Sequence, residues 1–201
     1  MDSSCMYQLT YGLFVLSAAE GEKQNGCIIN TAMQVTTTPN RISITVNKQN
    51  YTHDMVLRTG IFNVSILDQT APFALFQRFG FQSGRDADKL AGLDVAHSEN
   101  GVFYPTQGVT AVISGKVVQT VDLGTHTMFI ADVTDGFKVS GATPMTYAYY
   151  HANVKPKPQP KTDDKKGWRC KICGYIYEGD PLPADFICPI CKHGAIDFEQ
   201  I

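Results

Sequence analysis

Four cysteines near one end of the chain carry the spacing of a metal site. Cys170-Lys-Ile-Cys173 is followed by fourteen residues and then by Cys188-Pro-Ile-Cys191. Two CxxC pairs so separated offer four thiolates to one tetrahedral ion. The segment 167–201 that holds them is too short to bury a self-sufficient core. Metal binding must therefore supply much of its folding free energy. Two disulfides are the alternative, and they fit neither the paired geometry nor a reducing compartment. The ion decides the chemistry, because zinc would be redox-silent and iron would be a one-electron centre. Cys5 and Cys27 stand apart: Cys27 reads as a small buried apolar residue, and Cys5 has no assignable role.

A second chemistry is suggested by Asn47-Lys48-Gln49-Asn50-Tyr51-Thr52, which runs from a strand end into a helix start. Unpaired N–H groups, the Thr52 hydroxyl and the Lys48 ammonium would converge there, as a phosphate requires. Ser83-Gly84-Arg85 offers a similar anion site. No GxGxxG, GxxxxGK[ST] or HExxH occurs, so neither a dinucleotide fold, a P-loop nor a zinc protease is indicated. His53, His97, His151 and His193 have no partner spacing that marks them as catalytic.

The elements that must position these groups are mostly strands. Arg41–Asn47 alternates Ile42, Ile44 and Val46 with polar neighbours, and Ile61–Leu67 alternates in the same way. Val109–Val121 and His126–Val133 are rich in β-branched residues. Short helices are expected over Asn50–Gly60, capped by Thr52, and over Ala71–Phe79, capped by Thr70 with Pro72 in the first turn and Gly80 after it. Ser83 and Asp86 form a third cap pattern. Many strands with few helices predict a closed or split β-barrel over residues 1–151. Residues 152–166 then place five lysines and three prolines in a stretch with little apolar content. That stretch reads as an extended linker, leaving 167–201 as the metal domain.

Composition narrows the partners. The 201 residues are 43% hydrophobic and 18% charged, with a net charge of −2. This excludes a disordered chain and a global basic field for nucleic acid or an anionic membrane. No apolar run is long enough to span a bilayer. Leu9–Ala19 is apolar, but Asp2 precedes it and the first lysine is Lys23. A first strand is expected there rather than a secretory leader, and a cytoplasmic protein follows.

Longer stretches carry a family resemblance. Gly26–Leu67, Phe79–Lys89, His126–Val133 and Pro144–Tyr147 resemble the flavin reductase-like, FMN-binding family, which implies a Greek-key split barrel. Cys173-Gly-Tyr-Ile-Tyr-Glu178 and Cys188-Pro-Ile-Cys191 resemble the knuckles of rubredoxin. The short span between them is similar to the abbreviated domain of rubrerythrins. The whole chain resembles the high-molecular-weight rubredoxins. That family implies electrons passing from NADH or NADPH through FMN and Fe(Cys)4 iron to a flavodiiron protein, with FMN across a homodimer interface. Carried onto matching positions, Asn30, Thr31, Ala32 and Gln34 would lie along the ribityl chain and ring edge. Asn47, Lys48, Tyr51 and Thr52 would hold phosphate, Ser83 and Arg85 would complete the anion site, and Phe79 would cover the ring. His126 would face the nicotinamide, with a packed core role as its alternative. Cys170, Cys173, Cys188 and Cys191 would hold the iron, with zinc as the substitute.

The resemblance also frames the chemistry. NADH delivers two electrons together and an iron–thiolate site accepts one, so a flavin is the converter between them. The rivals are a flavin reductase that releases reduced FMN to a monooxygenase, a passive electron adapter, and a zinc-ribbon interaction module. A flexible linker of this length spans roughly 20 Å, and a polyproline rod about 45 Å. Either raises the local concentration of the metal domain at the flavin into the mM range. Cleavage within 152–166 should therefore slow flavin-to-iron transfer strongly at micromolar protein. Equal stopped-flow rates for tethered and cleaved protein would refute the tether.

Overall fold

A computed structural model describes residues 2–156, 167–171, 174–189 and 193–201. In chain order the larger unit contains β1 (Phe14–Glu20), β2 (Lys23–Ile29), β3 (Ala32–Thr37), β4 (Asn40–Asn47), α1 (Tyr51–Thr59) and β5 (Ile61–Leu67). It continues with α2 (Phe73–Gly80), β6 (Val95–His97), β7 (Phe103–Pro105), β8 (Val109–Asp122), β9 (His126–Lys138) and α3 (Tyr147–Tyr149). Seven strands form one antiparallel sheet in the order β2-β1-β5-β8-β9-β4-β3.

The strands at the two ends of that order, β2 and β3, are separated only by Asn30 and Thr31. Three Cα steps reach at most about 11 Å. The sheet must therefore roll until its ends meet, which makes a split barrel. Bulges at Gln34/Thr36, Ser114/Gly115 and Val117/Gln119 supply bending. Thr31 anchors the crossing, its hydroxyl donating to the Thr45 carbonyl at 2.7 Å.

Rolling gives β1 two faces to bury. Phe14, Leu16 and Ala18 of β1 join Cys27, Ile44, Val46, Phe62, Val64 and Phe129 inside the barrel, where Met55 and Val56 of α1 pack against them. Leu13 and Val15 point to the other side, where Phe76 and Phe79 of α2 pack with Phe103, Val112 and Met145. The period-two pattern of β1 thus serves two cores.

Asn63 of β5 is fully buried and ties three segments together. Its Nδ2 donates to Ser98 Oγ at 2.7 Å and to the Val102 carbonyl at 2.8 Å. Its Oδ1 accepts from Asn100 Nδ2 at 2.9 Å and from Ser114 Oγ at 2.8 Å.

Several local expectations are corrected. Asn50, not Thr52, occupies the N-cap of α1, and Gly60 closes the helix with φ 70° as expected. Thr70 does not cap α2, because Asp68 Oδ1 accepts from both its amide and its hydroxyl, at 2.8 and 2.6 Å. Pro72 takes that N-cap, and Gly80 is the last helical residue. Ser83 starts a turn, its carbonyl accepting from Asp86 and Ala87 N–H, and no helix follows. The first strand begins at Phe14, after a short 3-10 helix over Ser3–Gln8. Tyr150–Val154 continues α3 as a wide helical turn, with Val154 against the second core, inside the stretch read as linker.

The C-terminal unit is a three-stranded sheet of β10 (Trp168–Cys170), β11 (Ile176–Tyr177) and β12 (Phe198–Gln200), in the order β11-β10-β12. Its buried core among the described residues is Cys170, Cys188 and Phe198, flanked by Trp168, Tyr175, Tyr177 and Phe186.

Asn63→Leu removes four hydrogen bonds at a fully buried site and leaves the buried Ser114 hydroxyl without its Asn63 acceptor. It should cost about 3–5 kcal/mol in a urea melt. A loss under about 1 kcal/mol would remove the network from its central role.

Candidate functional site

The two cysteine pairs build matching turns. Cys170 N–H donates to the Tyr175 carbonyl at 2.8 Å, and Cys188 N–H donates to the His193 carbonyl at 2.8 Å. Each bond reaches five residues onward. Gly174 closes the first turn with φ 79°, a conformation that favours glycine, and its N–H donates to the Cys170 carbonyl at 2.9 Å. Cys170 and Cys188 are both buried in the small core. Two buried cysteines, each with its amide bonded five residues onward, fit a tetrahedral thiolate ion. Cys173 and Cys191 lie outside the described residues.

At the start of α1 a polar cavity of about 370 Å³ opens. Its wall includes Gln49, Asn50, Tyr51 and Thr52 on one side, and Gly80, Phe81, Gln82, Ser83 and Gly84 on the other. The two stretches that separately looked like anion sites therefore face one space. Gly84 allows this, because a Cβ there would sit 2.1 Å from Asn25 Oδ1. Thr52 is fully buried, and its hydroxyl accepts from Asn25 Nδ2 at 3.0 Å. Its side chain is thus a wall of the site and not a mobile donor. Arg85 Nη2 donates to Asp54 Oδ2 at 2.6 Å, and its guanidinium lies 5.1 Å from the Tyr51 ring centroid. Lys23 Nζ lies 4.6 Å from the same ring.

Other expected residues go elsewhere. Lys48 Nζ donates to Asp122 Oδ1 at 2.7 Å. That bond holds the Asp122 carboxyl below its usual range. Lys48 is not among the residues lining the cavity. Phe79 does not cover a ring site, because it is 1% exposed and stacks on Phe103 in the core at 5.9 Å. Asn30, Thr31, Ala32 and Gln34 follow the crossing and the outer strand, where Ala32 faces Ile44 and Gln34 faces Ile42. Gln34 Nε2 donates to Asn40 Oδ1 at 2.9 Å. Asn47 pairs with His126 in the β4–β9 register, and His126 Nδ1 is 2.9 Å from Thr125 Oγ1. These groups do not line the cavity.

Two residues went unread in the sequence. Lys89 lines the cavity while 4% exposed, and Asn25 holds its floor. His53 is also buried, with Nε2 2.9 Å from Thr127 Oγ1 and Nδ1 3.0 Å from Asp54 Oδ1. It fixes Asp54, which fixes Arg85. No spacing pattern could reveal these groups, because each has a partner on another element.

A second, more apolar cavity of about 230 Å³ shares Gly80 and Phe81 with the first. Its other walls include Ile28, Phe76, Tyr147, Tyr150 and His151. Burial, with Lys155 nearby, lowers the His151 pKa. Phe81 also packs against the small cysteine core, and His193 reaches the polar cavity.

Comparison with known proteins identifies the families of the two units. The flavin reductase like domain family matches residues 6–157, and the rubrerythrin, rubredoxin-like domain matches residues 168–199. The chain is 39% identical to a high molecular weight rubredoxin of Moorella thermoacetica, over the full length of both. It is 36% identical to a ferric-chelate reductase (NAD(P)H) of Archaeoglobus fulgidus, over 81% of this chain and 95% of that one. Among solved structures, the NADH:FAD oxidoreductase SgcE6 of Streptomyces globisporus superposes with a TM-score of 0.65 at 20% identity, covering 71% of this chain and 84% of that one. Nothing in these matches favours zinc over iron. The chain belongs to the high molecular weight rubredoxin family, with a flavin reductase like barrel followed by a rubredoxin-like domain.

Proposed function

We propose that this chain is an NAD(P)H-oxidising electron carrier that binds FMN in the barrel and iron at the four cysteines. Its electrons would leave for a flavodiiron protein. One observation carries the reading: His193, whose carbonyl accepts from the Cys188 amide, lines the same polar cavity as Tyr51, Thr52 and Ser83. A cofactor-sized space and a thiolate turn thus share a wall.

The bound flavin would supply the exchange between hydride and single electrons. The chain's own residues bind and orient. Tyr51, Ser83 and the start of α1 would take the polar end of the flavin. Ile28, Phe81 and Tyr147 offer apolar surface beside it. Cys170, Cys173, Cys188 and Cys191 would hold the iron, and the amide bonds around Cys170 and Cys188 fix the orientation of their turns. A homodimer is supported by the exposed Met33 and Val35 on the outer strand β3 and by Val118 and Leu123 near the β8–β9 tip. Among the described residues no helix is long and apolar enough to cross a membrane. The cytoplasm is the proposed location.

The Archaeoglobus relative favours a second reading, in which the barrel passes electrons directly to ferric chelates. An anaerobic NADH titration of the full chain, followed in the visible, separates the two. The carrier reading expects flavin bleaching together with loss of the ferric–thiolate bands, without added acceptor. Bleaching of the flavin with the iron bands intact would overturn it.

Removing the metal should also act locally. Trp168 is the single tryptophan and flanks the cysteine core. Acid or chelator treatment should shift its fluorescence toward that of solvated indole and leave the far-ultraviolet signal of the barrel intact. Unchanged Trp168 emission would show that the small unit folds without its ion.

A further inference from the structure

The turn that follows α2 stands where the two units meet. Phe81 caps the helix and lines the polar cavity, the apolar cavity and a third space of about 360 Å³. Phe81, Gln82, Ser83, Asp86 and Ala87 of the barrel wall that third space, together with His193 of the small unit. Phe81 also packs against the cluster of Cys170, Cys188 and Phe198. The turn is a firm platform. The Ser83 carbonyl accepts from the Asp86 and Ala87 amides, and the Phe81 ring leans on Phe73 at 6.1 Å. Gly84 lets it lie against β2, where a Cβ would meet Asn25.

Opposite this platform the two cysteine turns are not equivalent. His193 is half-buried and lines two of the three cavities. Its carbonyl accepts from the Cys188 amide at 2.8 Å, so one hydrogen bond separates the cavity wall from a cysteine of the metal site. Tyr175 holds the matching place in the first turn, where it accepts from the Cys170 amide. Neither Tyr175 nor Lys171 lines any of these three cavities. Lys171 is exposed, with its Nζ donating to the Ile196 carbonyl at 3.2 Å. The tether suits this pose. Lys155, just after the wide helical turn, lines the apolar cavity together with Phe81. The small unit thus lands near the point where its tether leaves the barrel. A contact of few residues is well populated at the mM local concentration that a tether provides.

We propose that the turn 81–87 is the docking platform of the metal domain, and that electrons enter its ion through the Cys188 turn and not the Cys170 turn. This inference rests on the carrier reading above. One NAD(P)H gives NAD(P)+, a proton released to solvent and two electrons. Each electron takes one ferric ion to ferrous. The second passage therefore follows removal of the first electron by an outside one-electron acceptor.

The test changes one residue on each side in the full, loaded chain. Ala87→Glu puts bulk and a carboxylate into the third space, facing a segment 167–201 that has three basic and five acidic residues. Lys171→Glu makes a larger change of charge at the first turn. Both are mixed anaerobically with NADH in a stopped-flow spectrometer. Ala87→Glu should bleach its flavin as wild type does and lose the ferric–thiolate bands about 10-fold more slowly or worse. Lys171→Glu should match wild type in both. Unchanged transfer in Ala87→Glu, or an equal loss in the two variants, would overturn the proposal. Dithionite should reduce the iron of Ala87→Glu at the wild-type rate. An equal slowing with dithionite would place the defect in the metal site and overturn the proposal too.

Small-angle scattering reads the pose without turnover. Wild type and Lys171→Glu should share one radius of gyration, and Ala87→Glu should exceed it. Wild-type scattering that fits a freely swinging metal domain would remove the platform. Should the wild-type flavin bleach with the iron bands intact, the carrier reading fails and the electron route falls with it. Scattering still decides the docking on its own.

Discussion

Two residues carry the chain between the outermost strands of its sheet. Because Asn30 and Thr31 must join β2 to β3, the seven strands cannot lie open. They curl, and the bulges in β3, β8 and β9 accommodate the curvature. The same closure leaves the outer faces of β1 and β2 uncovered by sheet. Phe76 and Phe79 of α2 then cover part of this surface with Leu13 and Val15, and Ile28 joins their cluster. The remaining gap, between the end of α2 and the start of α1, becomes the polar cavity. The site is thus a by-product of barrel closure and not an excavation of the core.

Charge is arranged around that gap in a consistent way. Arg41 with Asp132, Arg58 with Glu20 and Lys48 with Asp122 are paired at the surface, where such contacts contribute little to stability. Arg85 is held by Asp54, which His53 anchors to Thr127 of β9. This chain of contacts runs from the barrel wall to the rim of the cavity and fixes the Arg85 guanidinium near the Tyr51 ring. The buried groups beneath are likewise engaged, Asn25 with Thr52 and Asn63 with Ser98, Asn100 and Ser114.

How much of this could be read in the sequence follows from how local each signal is. Period-two alternation placed Ile61–Leu67 to the residue and Arg41–Asn47 within one, because strand faces are set by immediate neighbours. The rubredoxin-like segment was legible for the same reason, because CxxC spacing is a local signal. Thr70 misled because a competing acceptor, Asp68, lies two residues earlier and takes its hydroxyl. Phe79 misled because one helix turn from Phe76 puts it on the buried face of α2. Lys89 was invisible, since a lysine in a polar loop is ordinarily solvated. Only the closure of β2 against α2 brings the Gly26 and Phe79 carbonyls onto its ammonium.

The saturation of the site bears on its chemistry. A proton-transfer enzyme keeps an acid or base in reach of its substrate with a pKa tuned to the working pH. Here the cavity wall offers amides, hydroxyls, a lysine and His193, while the carboxylate of Asp54 is bound to Arg85 and His53. Cys27 is sealed and protonated. Such a wall can grip and orient a cofactor. Redox chemistry suits it, because hydride and electron exchange need alignment, exclusion of water and a short path outward. In the proposed carrier such a path would run through the contact at which Phe81 meets the cysteine core and His193 meets the cavity. The barrel can stand on its two large cores, whereas the small unit buries little beyond Cys170, Cys188 and Phe198 among its described residues. The ion that would carry the outgoing electron is therefore also what holds the outlet in shape.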